Sequence, residues 1–158
     1  MGKIDKTAFK LIQKNKKAFF NYEIIEDLEC GISLAGTEVK SIRQGKVSFG
    51  DSYITVDEKG LMLTGLTIQP YTFGNLNNHD PKRNRRLLAH KLEIKHLRRK
   101  VDERGFTLVP LEIYLKGNLV KVKVALCRGK NVRDKKEAIK ERDQNRAMRR
   151  ELKELQYR

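Results

Sequence analysis

Between Gly36 and Tyr53 the chain reads GTEVKSIRQGKVSFGDSY, and the side chains here that could do chemistry are cations. Thr37 suits a helix N-cap and Glu38 places a negative charge in the first turn, where free N–H groups and the helix dipole favour it. Gly45 supplies a stop. Within this short helix Val39 and Ile42, three apart, share one side and can face a core. Lys40 and Arg43 share the neighbouring side, which presents two cations from a rigid, anchored element to a phosphate backbone. Beyond Lys46 a strand begins, with Tyr53 available for stacking. By themselves, two cations suit a solvated helix face better than a nucleic-acid contact.

Covalent and metal chemistry finds less support. Gly31 and Gly36 have the interval of a phosphate loop, but Thr37-Glu38 follows in place of Lys and a hydroxyl residue. No G-x-S-x-G or HExxH motif occurs. Cys30 and Cys127 are isolated thiols, and His79, His90 and His96 show no zinc-ligand spacing, so both cysteines read as small buried hydrophobes. Glu38, Asp51 and Asp57 form a trio of the kind that holds magnesium in nucleases, a minor alternative in any strand-rich chain. No catalytic residue, metal or cofactor is expected.

The whole chain has 158 residues and a net charge of +15, enough for one domain with a core and an imbalance that calls for a polyanionic partner. RNA, DNA or an anionic membrane would each serve. Short apolar runs and the lack of a cationic amphipathic stretch rich in Phe or Leu argue against the membrane, and no secretion signal is evident. The expected location is the cytoplasm.

The elements that must position these groups follow from periodicity. Residues 1–17 are lysine-rich and short of apolar pattern, which predicts a mobile arm. From Phe20 to Leu34 apolar residues hold even positions, an extended chain with one buried face. A strand over 48–56 and a tight turn at Asp57-Glu58-Lys59-Gly60 come next. Leu61 and Leu63 keep one parity and Leu66 and Ile68 the other, predicting a β-bulge at Gly65. Pro70 to Arg86 reads as a long loop, of a length that is unusual unless functional. His90, Ile94, Leu97 and Val101 form a helical stripe ended by Gly105, with His90 a core or edge residue. Strands 106–116 and 119–128 flank a Gly117-Asn118 hairpin turn. After Gly129 charges of both signs dominate, and the tail is expected to be disordered when free but helix-prone beside a partner.

A family resemblance rests on residues spread along the chain in order: Asn15-Lys16-Lys17-Ala18, Glu29-x-Gly31, Gly36-x-Glu38-Val39-Lys40-Ser41-x-Arg43-x-Gly45-Lys46, Asp51-Ser52-Tyr53, Asp80-Pro81 with Arg83-x-Arg85-Arg86-Leu87-Leu88, Lys121-Val122-Lys123, and Arg128-Gly129-Lys130 with Asp134-Lys135-Lys136. From about Asn15 onward the chain resembles the SsrA-binding protein family, the small protein B of bacterial trans-translation. The resemblance implies a mainly β fold, a six-stranded antiparallel barrel of OB-like type with about three flanking helices. Its implied divisions are a basic arm over 1–16, the RNA-binding barrel over 17–128 and a basic tail over 129–158.

By the same resemblance the partner is transfer-messenger RNA, bound through its tRNA-like domain, with elongation factor Tu and alanyl-tRNA synthetase met only through that RNA. The implied RNA surface comprises Asn15, Lys16, Glu29, Lys40, Arg43, Lys46, Tyr53, Arg83, Arg85, Arg86, Leu88 and Lys121. Cations there would hold phosphates, and Tyr53 and guanidinium planes would stack on unpaired bases. Glu29 would accept hydrogen bonds from a base amino group or a 2′-OH, since a carboxylate repels phosphates. The tail would fold as a helix in the decoding centre and empty mRNA channel of the small ribosomal subunit, using Lys130, Arg133, Asp134, Lys135 and Lys136. Arg133 stands where some members have His, and Gln144 where some have Trp. The implied protein is an RNA adaptor for ribosome rescue; a ribosomal structural protein binding rRNA is the alternative.

Overall fold

Alternating apolar residues run through most of the strands, and their inward side chains meet in one core. The computed structural model describes residues 8–74, 78–129 and 132–156, without the side chains of Arg104 and residues 132–138. In chain order the elements are β1 (Phe9–Lys14), α1 (Lys16–Asn21), β2 (Tyr22–Ile32), α2 (Gly36–Arg43), β3 (Val47–Ser48), β4 (Tyr53–Asp57), β5 (Gly60–Thr64), β6 (Thr67–Ile68), β7 (Arg85–Leu88), α3 (Lys91–Arg104), β8 (Thr107–Lys116), β9 (Leu119–Gly129) and α4 (Val132–Gln156).

Seven strands form one antiparallel sheet in the order β1-β8-β4-β5-β7-β2-β9, and β8 also pairs with β9. That second pairing returns the sheet on itself. Six strands, β8, β4, β5, β7, β2 and β9, thus make a closed ring, and β1 lies outside it on the free part of β8. Closure removes the exposed edges that an open sheet would present. The seam is short: between β4 and β8 only Ile54 and Leu108 are paired. Inside the ring Cys30, Leu61, Leu63, Leu87, Leu108, Ile113, Val122, Val124 and Leu126 are buried together. Leu97, with Ile94 and Val101, adds the apolar stripe of α3 to this core, and Gly105 ends that helix in the left-handed conformation at φ 64°. His90 caps the start of α3 and is exposed, not buried on the stripe.

Several expectations are met by local chemistry. The Asp57 carboxylate accepts from the Lys59 and Gly60 N–H groups at 2.8 and 2.9 Å, closing the β4–β5 turn. Gly117, at φ 63°, turns β8 into β9. Both cysteines are buried and free, and burial pushes each thiol up to about 12.

Two expectations are corrected. The N-terminal region is not a mobile arm from residue 9 onward: β1 pairs with β8, and Ala18 of α1 covers Val109, Leu111, Ala125 and Cys127. Those four side chains lie on the outer face of β8 and β9, so this small second core needs a lid; residues 1–7 lie outside the described residues. Gly65 is not a bulge within one strand. At φ 86° it is the corner where the chain leaves the barrel for the separate β3–β6 ribbon, and a Cβ there would stand 3.1 Å from Ser52 Cα. The parity change lets Leu61, Leu63, Leu66 and Ile68 all be buried. In the tail, residues 132–156 form a helix, and the Arg142 guanidinium lies 5.7 Å from the Phe20 ring. A run of strong helix formers sustains the backbone although the described side chains of α4 are exposed.

Candidate nucleic-acid interface

Register places Glu29, Leu88 and Lys121 together. Gly31 of β2 pairs with Leu88 of β7 on one side and with Lys121 of β9 on the other. Directly opposed residues point to the same face, and Glu29 lies two residues before Gly31, so all four share the outside of the barrel. They line one shallow depression with His90 and Glu93. Gly31 has its own part in this. A Cβ there would stand 3.2 Å from Leu88 Cβ, so glycine lets the apolar Leu88 side chain, 56% exposed, lie across the neighbouring strand.

Two residues beside Glu29 were not singled out from sequence. Tyr114 opposite Lys121 on β8 donates its hydroxyl to Glu29 Oε2, and Lys116 Nζ lies 3.4 Å from Oε1. The Tyr114 hydrogen bond holds the Glu29 carboxyl below the usual carboxylate range, against desolvation and with help from Lys116. Glu29 is therefore an oriented, ionised acceptor with lone pairs still free, on a partly exposed side chain. Desolvation and Glu29 push the Tyr114 phenol upward, which keeps it a donor. Only the pairing of distant strands brings this tyrosine to Glu29, and no local signal in the sequence announces it.

The second group surrounds α2. Ala35, not Thr37, is the N-cap; Glu38 at the third helical position turns back to accept from the Ala35 N–H at 2.8 Å. Thr37 Oγ1 instead meets His79 Nδ1 at 2.9 Å. Glu38 is completely buried and ion-paired with both Arg83 and Arg85. Burial pushes its carboxyl up, but hydrogen bonds from Arg83, Ala35 and Arg85 together leave it below the usual range. From this anchored helix Lys40 and Arg43 are exposed, as is Lys46 just beyond it. Lys40 Nζ lies 5.4 Å from the Tyr71 ring centroid, and Lys46 Nζ donates to Thr72 Oγ1 at 3.0 Å.

Arg85 departs from its expected place on the RNA surface. It is wholly buried, and besides Glu38 its guanidinium donates to the carbonyls of Leu66 at 2.8 Å, Pro81 at 3.1 Å and Asp80 at 3.4 Å. Each guanidinium nitrogen donates within the protein and the side chain has no exposed surface, so a phosphate cannot reach it. Arg83 is partly exposed but spends Nε on Glu38 at 3.0 Å and Nη2 on Ser33 O at 3.3 Å. Arg86 reaches away from this group and donates to Lys59 O at 3.1 Å over the β4–β5 turn.

Asn15 is likewise buried. Its Oδ1 accepts from Ala18 N–H at 3.2 Å as the N-cap of α1, and its Nδ2 donates to Pro110 O at 2.8 Å. It ties α1 to β8 and leaves Lys16 exposed beside it. Asn15 and Tyr53, the latter 48% exposed, line one depression with Lys17, Tyr22 and Asp51. In the tail, Lys130 lies outside the described residues, and so do the side chains of Arg133, Asp134, Lys135 and Lys136 on α4.

The trio weighed for magnesium is not assembled. Glu38 is buried against arginines, Asp51 pairs with Lys17, and Asp57 closes its own turn. Among the described residues no group of three or more His, Cys, Asp or Glu could hold a metal ion, and no helix is long and apolar enough to cross a membrane.

Known proteins provide an independent comparison. The family model for SmpB protein matches residues 12–154. The SsrA-binding protein of Treponema denticola is 49% identical over 150 residues, covering 95% of this chain and 97% of that one. That of Trichodesmium erythraeum is 48% identical over 155 residues, 98% of this chain and 99% of the other. A solved structure described as "tmRNA-SmpB: a journey to the center of the bacterial ribosome" contains a chain 46% identical, with a TM-score of 0.64, over 80% of this chain and 93% of that one. A match across nearly the whole length, on a closed antiparallel barrel carrying an ionised glutamate among cations, shows that this chain belongs to the SmpB family of SsrA-binding proteins.

Proposed function

We propose that this protein binds the tRNA-like domain of transfer-messenger RNA and carries it to bacterial ribosomes stalled without a usable stop codon. The outer face of the barrel holds the RNA, and α4 occupies the decoding centre and the empty mRNA channel, replacing the missing codon–anticodon contact. It acts by binding, not by catalysis, in the cytoplasm where such ribosomes work. The observation that carries the reading is the row Leu88–Gly31–Lys121 with Glu29 at its side: an exposed apolar contact, a cation and an oriented carboxylate on one rigid face. Such a face reads a folded RNA through base edges and 2′-OH groups, which a uniformly cationic surface would not do. Lys40, Arg43, Lys46 and Lys16 supply sequence-independent affinity for phosphates. Tyr53 offers a ring for an unpaired base. Asn15, Arg83 and Arg85 support the surface from beneath.

Sequencing the RNA that copurifies with the protein tests this directly. Transfer-messenger RNA should dominate and should dissociate steeply with salt. Stoichiometric retention on ribosomes in high salt, with ribosomal RNA as the bound species, would instead establish a structural ribosomal protein.

A further inference from the structure

Phe73 is the most exposed aromatic ring among the described residues, at 78%. A single exposed ring is ordinary; the way this one is held is not. The Asn78 side chain accepts from the Tyr71 N–H at 3.2 Å and donates to Tyr71 O at 2.8 Å, and the Gly74 N–H donates to the same carbonyl at 2.9 Å. A Cβ on Gly74 would stand 2.7 Å from Asn78 Nδ2, so the clamp requires glycine. Tyr71 meets Phe73 edge-on, with centroids 5.7 Å apart and planes at 68°. His79 then ties this loop to α2 and to the β3–β6 ribbon, meeting Thr37 Oγ1 at 2.9 Å and Ile68 O at 2.8 Å. The cations of α2 converge on the same turn, Lys40 over the Tyr71 ring and Lys46 on Thr72.

A preorganised aromatic face beside fixed cations is what single-stranded nucleic acid needs, because bases stack without regard to sequence while ammonium groups hold the linking phosphates. We propose that Phe73 is a stacking seat for an unpaired nucleobase of the bound RNA, with Lys40 and Lys46 holding the adjoining phosphates. This rests on the functional reading above and adds a contact point outside the residues on which that reading was built. It also gives the long loop after Pro70 a purpose.

The chain contains no tryptophan, so Phe73→Trp creates a single indole at the seat. Full-length protein is titrated with a transcript of the tRNA-like domain. Indole emission should be quenched over the same concentrations as binding measured by anisotropy. Phe73→Ala and Phe73→Leu should each weaken binding roughly 5- to 150-fold, the range for losing one stacked base. Neither should change the salt slope, whereas Lys46→Ala should lower it by about one. An indole that stays unquenched at saturating transcript, with Phe73→Ala binding as tightly as the parent, overturns the seat. If Glu29→Gln still weakens binding in that case, the functional reading stands without it. An indole that responds to anionic phospholipid vesicles but not to RNA also overturns the proposal. A parent protein that binds random duplex as well as the transcript removes the functional reading and the seat with it.

Discussion

The carboxylate of Glu38 on α2 and the guanidinium of Arg85 on β7 form an ion pair in which both side chains are fully buried. Arg83 joins them from the surface, and carbonyls of Leu66, Asp80 and Pro81 accept from the Arg85 Nη groups. The pair fastens the helix that bears Lys40 and Arg43 to the wall of the barrel. Its energetic weight lies less in the attraction than in what happens when one partner is lost, since the other is then a buried charge with nothing to neutralise it.

Glu38→Gln or Arg85→Leu should therefore each lower unfolding stability by about 3–5 kcal/mol in urea titrations. A double replacement by apolar residues of similar volume should cost less than the sum of the two. The folded carboxyl of Glu38 is held below its ordinary range, so its contribution is complete at neutral pH and is lost as pH falls through that depressed value. In Glu38→Gln the acid limb of the stability curve should flatten.

Tyr114 sets the ionisation of Glu29. Removing its hydroxyl in Tyr114→Phe takes away the largest cause of the lowered value, and the Glu29 carboxyl should titrate at higher pH, read from its side-chain carbon by NMR. RNA affinity that depends on ionised Glu29 is then full above the titration midpoint and lost as pH drops through it. The acid loss of binding should begin at higher pH in Tyr114→Phe than in the parent.

The α2 cations and Glu29 should separate in salt. Lys40→Ala and Arg43→Ala are expected to weaken binding to transcript and random duplex alike, each lowering the slope of log K against log salt by about one. Glu29→Gln should instead cost preference for the transcript with the slope hardly changed. Binding titrations at four or five salt concentrations distinguish the two patterns.

Truncation after Gly129 removes α4, whose described side chains, from residue 139 onward, are exposed. Affinity for the tRNA-like transcript should stay within about twofold of the parent, a difference of roughly 0.4 kcal/mol, while peptide tagging in a reconstituted translation system should disappear. Equal loss of RNA binding and tagging would show that the barrel and the tail do not divide the work.

Much of the scaffold could be read locally. The hairpin at Gly117-Asn118, the turn after Asp57, and the helix ended by Gly105 each follow from a few neighbouring residues whose backbone preferences agree. The loop reading of Pro70 to Arg86 overruns the start of the strand at Arg85–Leu88, because four residues beginning with two arginines carry no alternation strong enough to announce a buried strand. Arg85 itself read as a surface cation because its partner stands 47 residues away in sequence. Likewise Tyr114 and Glu29 are separated by 85 residues, and only the β8–β9–β2 pairing sets them side by side.

What the amino-acid order alone determined is the material: the parity of the core strands, the positions of the glycine turns, a helix with two cations on one side, a large positive charge, and a family pattern spread over most of the chain. Those properties depend on near neighbours, and near neighbours are what a sequence displays. Which cations face water was decided only by tertiary structure. Burial and register come from contacts between segments far apart along the chain, and they turned Arg85 and Asn15 inward, left Lys40, Arg43 and Lys46 outside, and gave Glu29 the hydroxyl that orients its carboxylate and lowers its pKa.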